Sequence, residues 1–223
     1  MMQKFQTPAP ISAQLEVPAG RVRFIAADRA DTTVEIRPAD ASSGRDKKMA
    51  EQATVEYSEG VLRIEAPAGN RILGSSGSVE VTVQLPAGSR VEAKAASADF
   101  RTVGRLGEVA FDGSHASVKI DEAASARLTT LDGEVRVGRL GGDGEIRTGK
   151  GDFHIDEAMR GTVVLRTEAG TISVAAAAGD CASLDAGVTH GRIHNALKNT
   201  EGAADLTIHA TTAHGDITAR SLS

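Results

Sequence analysis

Six histidines are the residues in this chain best suited to chemistry near neutral pH, because an imidazole titrates there and binds transition metals. Their spacing is regular. His190 and His214 each stand one residue before a glycine (Gly191, Gly215), and His115 holds the equivalent place upstream of Ala116. His154 and His194 each stand three residues after a glycine. If those glycines mark equivalent corners of stacked coils, His190 and His214 meet about 5 Å apart, the spacing of neighbouring strands. Such a pair could hold a transition metal or act as a proton-sensitive spot, with Asp216 or His209 as an unforced third ligand. Solvated corner histidines are the simpler reading, so His190 and His214 stand only as a speculative metal pair. No metal ligand is assigned.

Carboxylates form a second pattern. Asp99, Glu134, Asp152 and Asp216 each follow a corner position, an arrangement like that of polysaccharide-cleaving β-helices, where two carboxylates flank a sugar bond. Ser117, Thr171 and Arg192 interrupt that column, and aromatic residues make up only 3% of the chain. Sugar-stacking rings are therefore scarce. The chain has no G-x-S-x-G elbow, phosphate-binding loop, dinucleotide fingerprint or H-E-x-x-H helix. Gly141-Gly142-Asp143-Gly144 is a single tight corner rather than a calcium-binding array. Cys181, the one cysteine, sits in an alanine-rich stretch and reads as a small packed residue. We expect no enzyme: no catalytic residue and no cofactor is assigned.

The elements that position these residues follow from a repeat. ARLTTLDGEVRV (126–137), EIRTGKGDFHI (145–155), VVLRTEAGTISV (163–174) and HATTAHGDITA (209–219) share one pattern of alternating apolar and polar residues around Thr-x-x-Gly. The corner falls at Gly133, Gly151, Gly170, Gly191 and Gly215, with Ala98 and Ala116 in two weaker upstream copies. Two residues on come Phe100, Val118, Val135, Phe153, Ile172, Ile193 and Ile217, all apolar; three before come Thr130, Thr148, Thr167 and Thr212, with Val188 in one copy. Each copy carries an apolar stripe that it can bury only against its neighbours, which is the requirement of a solenoid. The fold class expected is all-β: a right-handed parallel β-solenoid (β-helix) of roughly 18–24-residue coils, the hand following the rule for parallel crossovers. The threonine column should face inward and pass hydrogen bonds between coils.

The motif Thr130–Val137 and Thr148–Ile155, with the Pro-Ala-Gly strand ends at 18–20, 67–69 and 86–88, resembles the bacterial adhesin-like β-strand-repeat family, a domain of unknown function similar to auto-transporter adhesin heads. The resemblance covers roughly residues 10–220. It implies a β-strand-repeat fold and an adhesin-like role, and it names no catalytic residue.

Composition divides the chain near residue 90. All six prolines precede that point, and residues 1–90 carry 11 basic and 11 acidic side chains, so the net charge of −5 belongs to residues 91–223. We read 1–90 as an N-terminal β-strand segment, packing on or continuing the solenoid and capping it, and 91–223 as the repeat. Within the first segment, Val55 and Tyr57 pair with Leu62 and Ile64 across a short turn. Residues 40–52 read as a loop with room for one helical turn, and 69–78 as a loop. The acidic balance excludes a general nucleic-acid binder, and no apolar run is long enough to span a membrane. The absence of a signal-like segment favours a cytoplasmic protein.

The function expected is a non-enzymatic scaffold or macromolecule-interaction protein, adhesin-like, with a protein as partner. Alternatives are a carbohydrate-binding or carbohydrate-active β-helix, and metal binding at the histidine corner. The last coil, Leu206–Ala219, should form an exposed edge. It is either covered by residues 195–204 or used in a homo-oligomer through the C-terminal solenoid edge.

Overall fold

The computed structural model describes residues 1–67, 77–198 and 204–223. Among them are seventeen strands and one helix, and the fold is all-β. The chain divides into two compact units, Met1–Ala116 and Ser117–Ser223; the compositional boundary near residue 90 falls inside the first.

The first unit contains β1 (Met2–Gln6), β2 (Ser12–Ala27), β3 (Asp31–Pro38), α1 (Gly44–Gln52), β4 (Thr54–Ser58), β5 (Val61–Glu65), β6 (Val79–Pro86), β7 (Arg90–Val103) and the start of β8 (Arg105–Asp132). Strand β2 is its centre. One side pairs in parallel with β5 and then β6, and the other side with β7 over almost its whole length. Alternation buries Ala13, Leu15, Val22 and Phe24, and the rings of Phe24, Phe100 and Phe111 follow one another at 6.0 and 4.9 Å. Gly20 (φ +153°) lets β2 turn without a Cβ, which would lie 1.9 Å from the Val79 carbonyl oxygen. Thus β2 is itself a repeat copy, with Gly20 beside Ala98 and Val22 beside Phe100.

Antiparallel strands close this unit. β1 pairs with β3, β3 with β6, and β4 with β5. The β4–β5 hairpin turns on Glu59 and Gly60, both at positive φ (50° and 78°), as a two-residue turn of that hand requires. Residues 44–52 form α1 rather than a loop. Ser43 accepts a hydrogen bond from the Asp46 amide as N-cap, and Met49 and Ala50 are buried. The sequence signal there is faint because the helix is nine residues long and buries only those two side chains. The loop expected at 69–78 lies, as far as residue 76, outside the described residues.

The second unit adds β9 (Val135–Leu140), β10 (Gly144–Lys150), β11 (Phe153–Ala158), β12 (Gly161–Ala169), β13 (Ile172–Ala176), β14 (Ala182–His190), β15 (Ile193–Ala196), β16 (Leu206–His214) and β17 (Ile217–Ser221). Among the described residues its pairings are all parallel and form two ladders. One runs β8–β10–β12–β16–β14. The other runs β8–β9–β11–β13–β17–β15. The columns read from the sequence are real: Phe153 lies between Val135 and Ile172, and all three are 0–1% exposed.

Glycine earns its place at the corner for a steric reason. Gly151, Gly170, Gly215 and Gly191 hold φ between +142° and +156°, and a Cβ on each would sit 1.9–2.1 Å from the carbonyl oxygen of the glycine in the adjoining coil. L-residues rarely adopt that φ, and here they would also collide with backbone. The inward threonines are buried as expected. Thr130 donates to the Thr148 hydroxyl at 2.9 Å, whereas Thr167 and Thr212 donate to the carbonyls of Gly151 and Gly170.

One expectation fails. The final coil, Leu206–Ala219, is not the edge: β16 lies between β12 and β14, and β17 between β13 and β15. The C-terminal solenoid edge is instead the preceding copy, β14–β15. The columns explain the exchange. Where inner coils bury Val137, Ile155, Val174 and Ala219, the β15 copy offers Asn195, which is exposed. Where they bury threonine, it offers Val188, half-buried. The copy carrying a polar residue at a core position costs least at the end of the stack, since an unpaired buried amide is penalised. The far side of Leu206–Ala219 is therefore covered by β14–β15, whose Asn195 and Ala196 pair with Ala219 and Arg220; residues 199–203 of the loop expected there lie outside the described residues.

Candidate functional site

The histidines of the last two coils meet, as their shared place before a glycine predicts. His190 and His214 are register partners at the ends of β14 and β16, and their rings stack with centroids 4.8 Å apart at 15°. Both are exposed. Neither expected third ligand turns toward them. Asp216 Oδ1 accepts the Arg192 amide at 2.9 Å, and His209 Nδ1 lies 3.1 Å from Asp185 Oδ2. His154 and His194 share a ladder but are separated by Ser173 and Thr218, one step further apart than the chain order implies. Among the described residues, no three metal-binding side chains gather.

Two of the four recurring carboxylates, Asp152 and Asp216, are structural, and so is Asp143. Asp152 Oδ1 accepts the Thr171 amide at 2.7 Å, and Asp143 Oδ1 accepts the Thr162 amide at 2.8 Å. Together with Asp216, each accepts a backbone amide of an adjoining coil and so satisfies that donor. Asp143 was legible only as a tight corner. Its role, like the Asp185–His209 pair, could have been found by stacking the columns in spatial order. Cys181 is half-buried, and its carbonyl accepts the amides of Asp205 and Leu206.

The outward faces carry charge in cross-strand pairs, such as Arg136–Asp156 at 3.0 Å and Arg139–Glu157 at 3.4 Å. Such exposed pairs contribute little to stability, but they set the polarity of the face. In the first unit, Gln14, Glu16, Arg63, Glu65, Glu92 and Lys94 line a shallow groove across β5, β2 and β7.

Edge strands β14 and β15 differ from the inner strands in exposure. Leu184 and Val188 are half-buried and Ile193 is 44% exposed, although their counterparts Val163, Thr167 and Ile172 are buried. Among the described pairings, β14 has only β16 beside it and β15 only β17.

A family model described as Toastrack DUF4097 matches residues 102–220. The chain belongs to that family. Its function is unknown, and Toastrack is a β-solenoid-like fold with an open sheet. Among solved structures, the Toastrack chain is similar to a candidate adhesin from Parabacteroides distasonis at 13% identity and a TM-score of 0.47, covering 98% of this chain and 96% of that one. A candidate adhesin from Bacteroides fragilis matches at 8% identity and 0.44, covering 98% and 96%. A candidate cell adhesion protein from Clostridium sporogenes matches at 12% and 0.41, covering 100% and 99%. No curated protein matches the chain. No helix among the described residues is long and apolar enough to cross a membrane.

Proposed function

We propose that this Toastrack protein is a non-enzymatic, adhesin-like interaction module whose open edge coil, β14–β15, engages a partner protein. The observation that carries this reading is the half-exposed apolar set Leu184, Val188 and Ile193 on strands with one ladder partner each among the described residues. Unpaired strand edges are templates for further pairing. The repeat columns support it from the other side, because their glycines, threonines and several carboxylates are engaged in stacking one coil on the next. Right-handed winding with 18–24-residue coils belongs to the same proposal, and the parallel registers support it. So does the assignment of residues 1–90 as a segment that packs on β7 and caps it.

The test is capture of binding proteins by the purified chain and by V188K and I193K, which place charge on the edge. We expect a reproducible partner for the unaltered chain and its loss with both substitutions. The same partner captured by all three chains would overturn the edge as the binding surface. A second copy of the chain on this edge is the homo-oligomeric form of the proposal, and light scattering reads it directly. The carbohydrate reading has the groove of the first unit, which holds three glutamates but no aromatic ring, so the protein-binding reading is preferred; glycan-array binding would reverse that. Fractionation of native cells separates a cytoplasmic partner from an extracellular one.

A further inference from the structure

We infer that His190 and His214 form a two-imidazole site for a later first-row transition-metal ion, Zn, Ni or Cu(II), which clips the edge strand β14 onto β16. Three observations carry this. The residues are exact register partners on parallel strands, so their backbones are held one strand spacing apart, about 4.8 Å. The glycines that follow them fix that spacing further: Gly191 packs on Gly215 so closely that a Cβ there would lie 2.0 Å from the Gly215 carbonyl oxygen. The two rings already face each other at 4.8 Å, nearly parallel, with solvent at their edges.

The geometry needed is small. Two bonds of about 2.0–2.1 Å at a tetrahedral angle place the ligating nitrogens roughly 3.3 Å apart. Rings at 4.8 Å reach that by turning about their side-chain bonds, with the backbone still. On its other side His214 has Ala169 as register partner, a methyl group that leaves the ring room to turn. Asp216 and His209 have partners of their own, so the protein supplies two ligands and water completes the coordination. Imidazole donors favour Zn, Ni and Cu over Mg and Ca. Because β14 is paired only with β16 among the described residues, an ion shared between their histidines adds a bond at the edge of the stack, and it stabilises that edge by mass action.

The experiment titrates tag-free full chain with zinc or nickel chloride by calorimetry, and follows amide exchange in β14 with and without metal. We expect one ion per chain, a slower exchange of β14 amides, and at least about a tenfold weaker uptake in H190A and in H214A. H194A, on the neighbouring ladder, should bind like the unaltered chain. H190Q and H214Q replace the alanine variants if circular dichroism shows lost structure. No uptake below ~1 mM metal, uptake that survives both substitutions, or uptake that slows no β14 amide would overturn the inference.

Discussion

In the first unit, β1 and β4 run antiparallel to their partners and bring Phe5 and Tyr57 within 5.4 Å. In the second, β14 and β15 stay parallel to β16 and β17 and leave Ile193 44% exposed. Both are ends of parallel stacks. One turns strand direction and sets two half-buried rings against each other; the other keeps its direction and leaves an apolar side chain in solvent. A parallel coil that stops presents backbone groups and half a core to whatever arrives, so an open end is where a repeat protein can bind. A closed end is where it gains stability. The contrast also locates polar compromise: Asn195 is tolerated at the open end, at a position where the inner coils bury Val174 and Ala219.

The largest test of this contrast is the glycine column. Gly170→Ala forces a Cβ to 1.9 Å from the Gly151 carbonyl oxygen, in a coil paired on both sides. We expect a loss of ~3 kcal/mol or more in the second unit, seen by thermal unfolding. Gly191→Ala makes an equally close contact, 2.0 Å, yet it should only peel β14–β15 away, at ~1–2 kcal/mol with fast exchange confined to those strands. Equal losses would erase the distinction between interior and edge.

Aromatic closure comes next. Phe5→Ala should destabilise the first unit by ~1–2 kcal/mol, since the ring is half-buried and paired. Ile193→Ala at the open end should change stability by no more than ~0.5 kcal/mol. A cost at Ile193 matching that at Phe5 would mean the edge is covered in solution, and light scattering would then show by what.

A smaller effect is expected at Thr102, whose hydroxyl is buried with no partner among the described residues. Thr102→Val keeps the shape and removes the orphaned group, so stability should stay level or rise by up to ~1 kcal/mol in urea unfolding.

The last and smallest concerns acid. Hydrogen bonds from Arg29 and Lys4 hold the Asp31 carboxyl at about 2, below its ordinary 3.8. A depressed carboxylate stabilises the fold above its ordinary value, and that contribution disappears as pH falls from 3.8 towards about 2. Asp31→Asn should remove this acid dependence from the β1–β3 pairing, with amide exchange in β1 as the readout. An unchanged acid response would show that the ion pair does not hold the closed end.

How much was legible follows from what each residue touches. The Thr-x-x-Gly corner, the column Val135–Phe153–Ile172 and the β4–β5 hairpin were visible, because alternation and turn chemistry are local properties of the chain. Strand β2 was partly hidden: Gly20 and Val22 fit the columns, but Val17 stands where later copies have threonine. Helix α1 was legible only as a single turn within a loop, because two buried residues make no periodic signal. At the candidate site, the meeting of His190 with His214 was readable from their shared place before a glycine. The engagement of Asp216 and His209 elsewhere was not, since it depends on which side chain turns toward which backbone.

Composition, alternation and the repeated corner determined an all-β stack with threonine and glycine columns, because each copy must bury a stripe that it cannot bury alone. The order of the coils was decided only in three dimensions. Chain order would place Leu206–Ala219 at the end, and nothing local forbids it; the exchange with β14–β15 is a comparison between two complete packings. In the one observed, Ile208, Ala210, Ile217 and Ala219 are buried on both sides and Asn195 meets solvent. That preference belongs to the whole stack, because the cost of a polar residue depends on whether another coil lies beyond it.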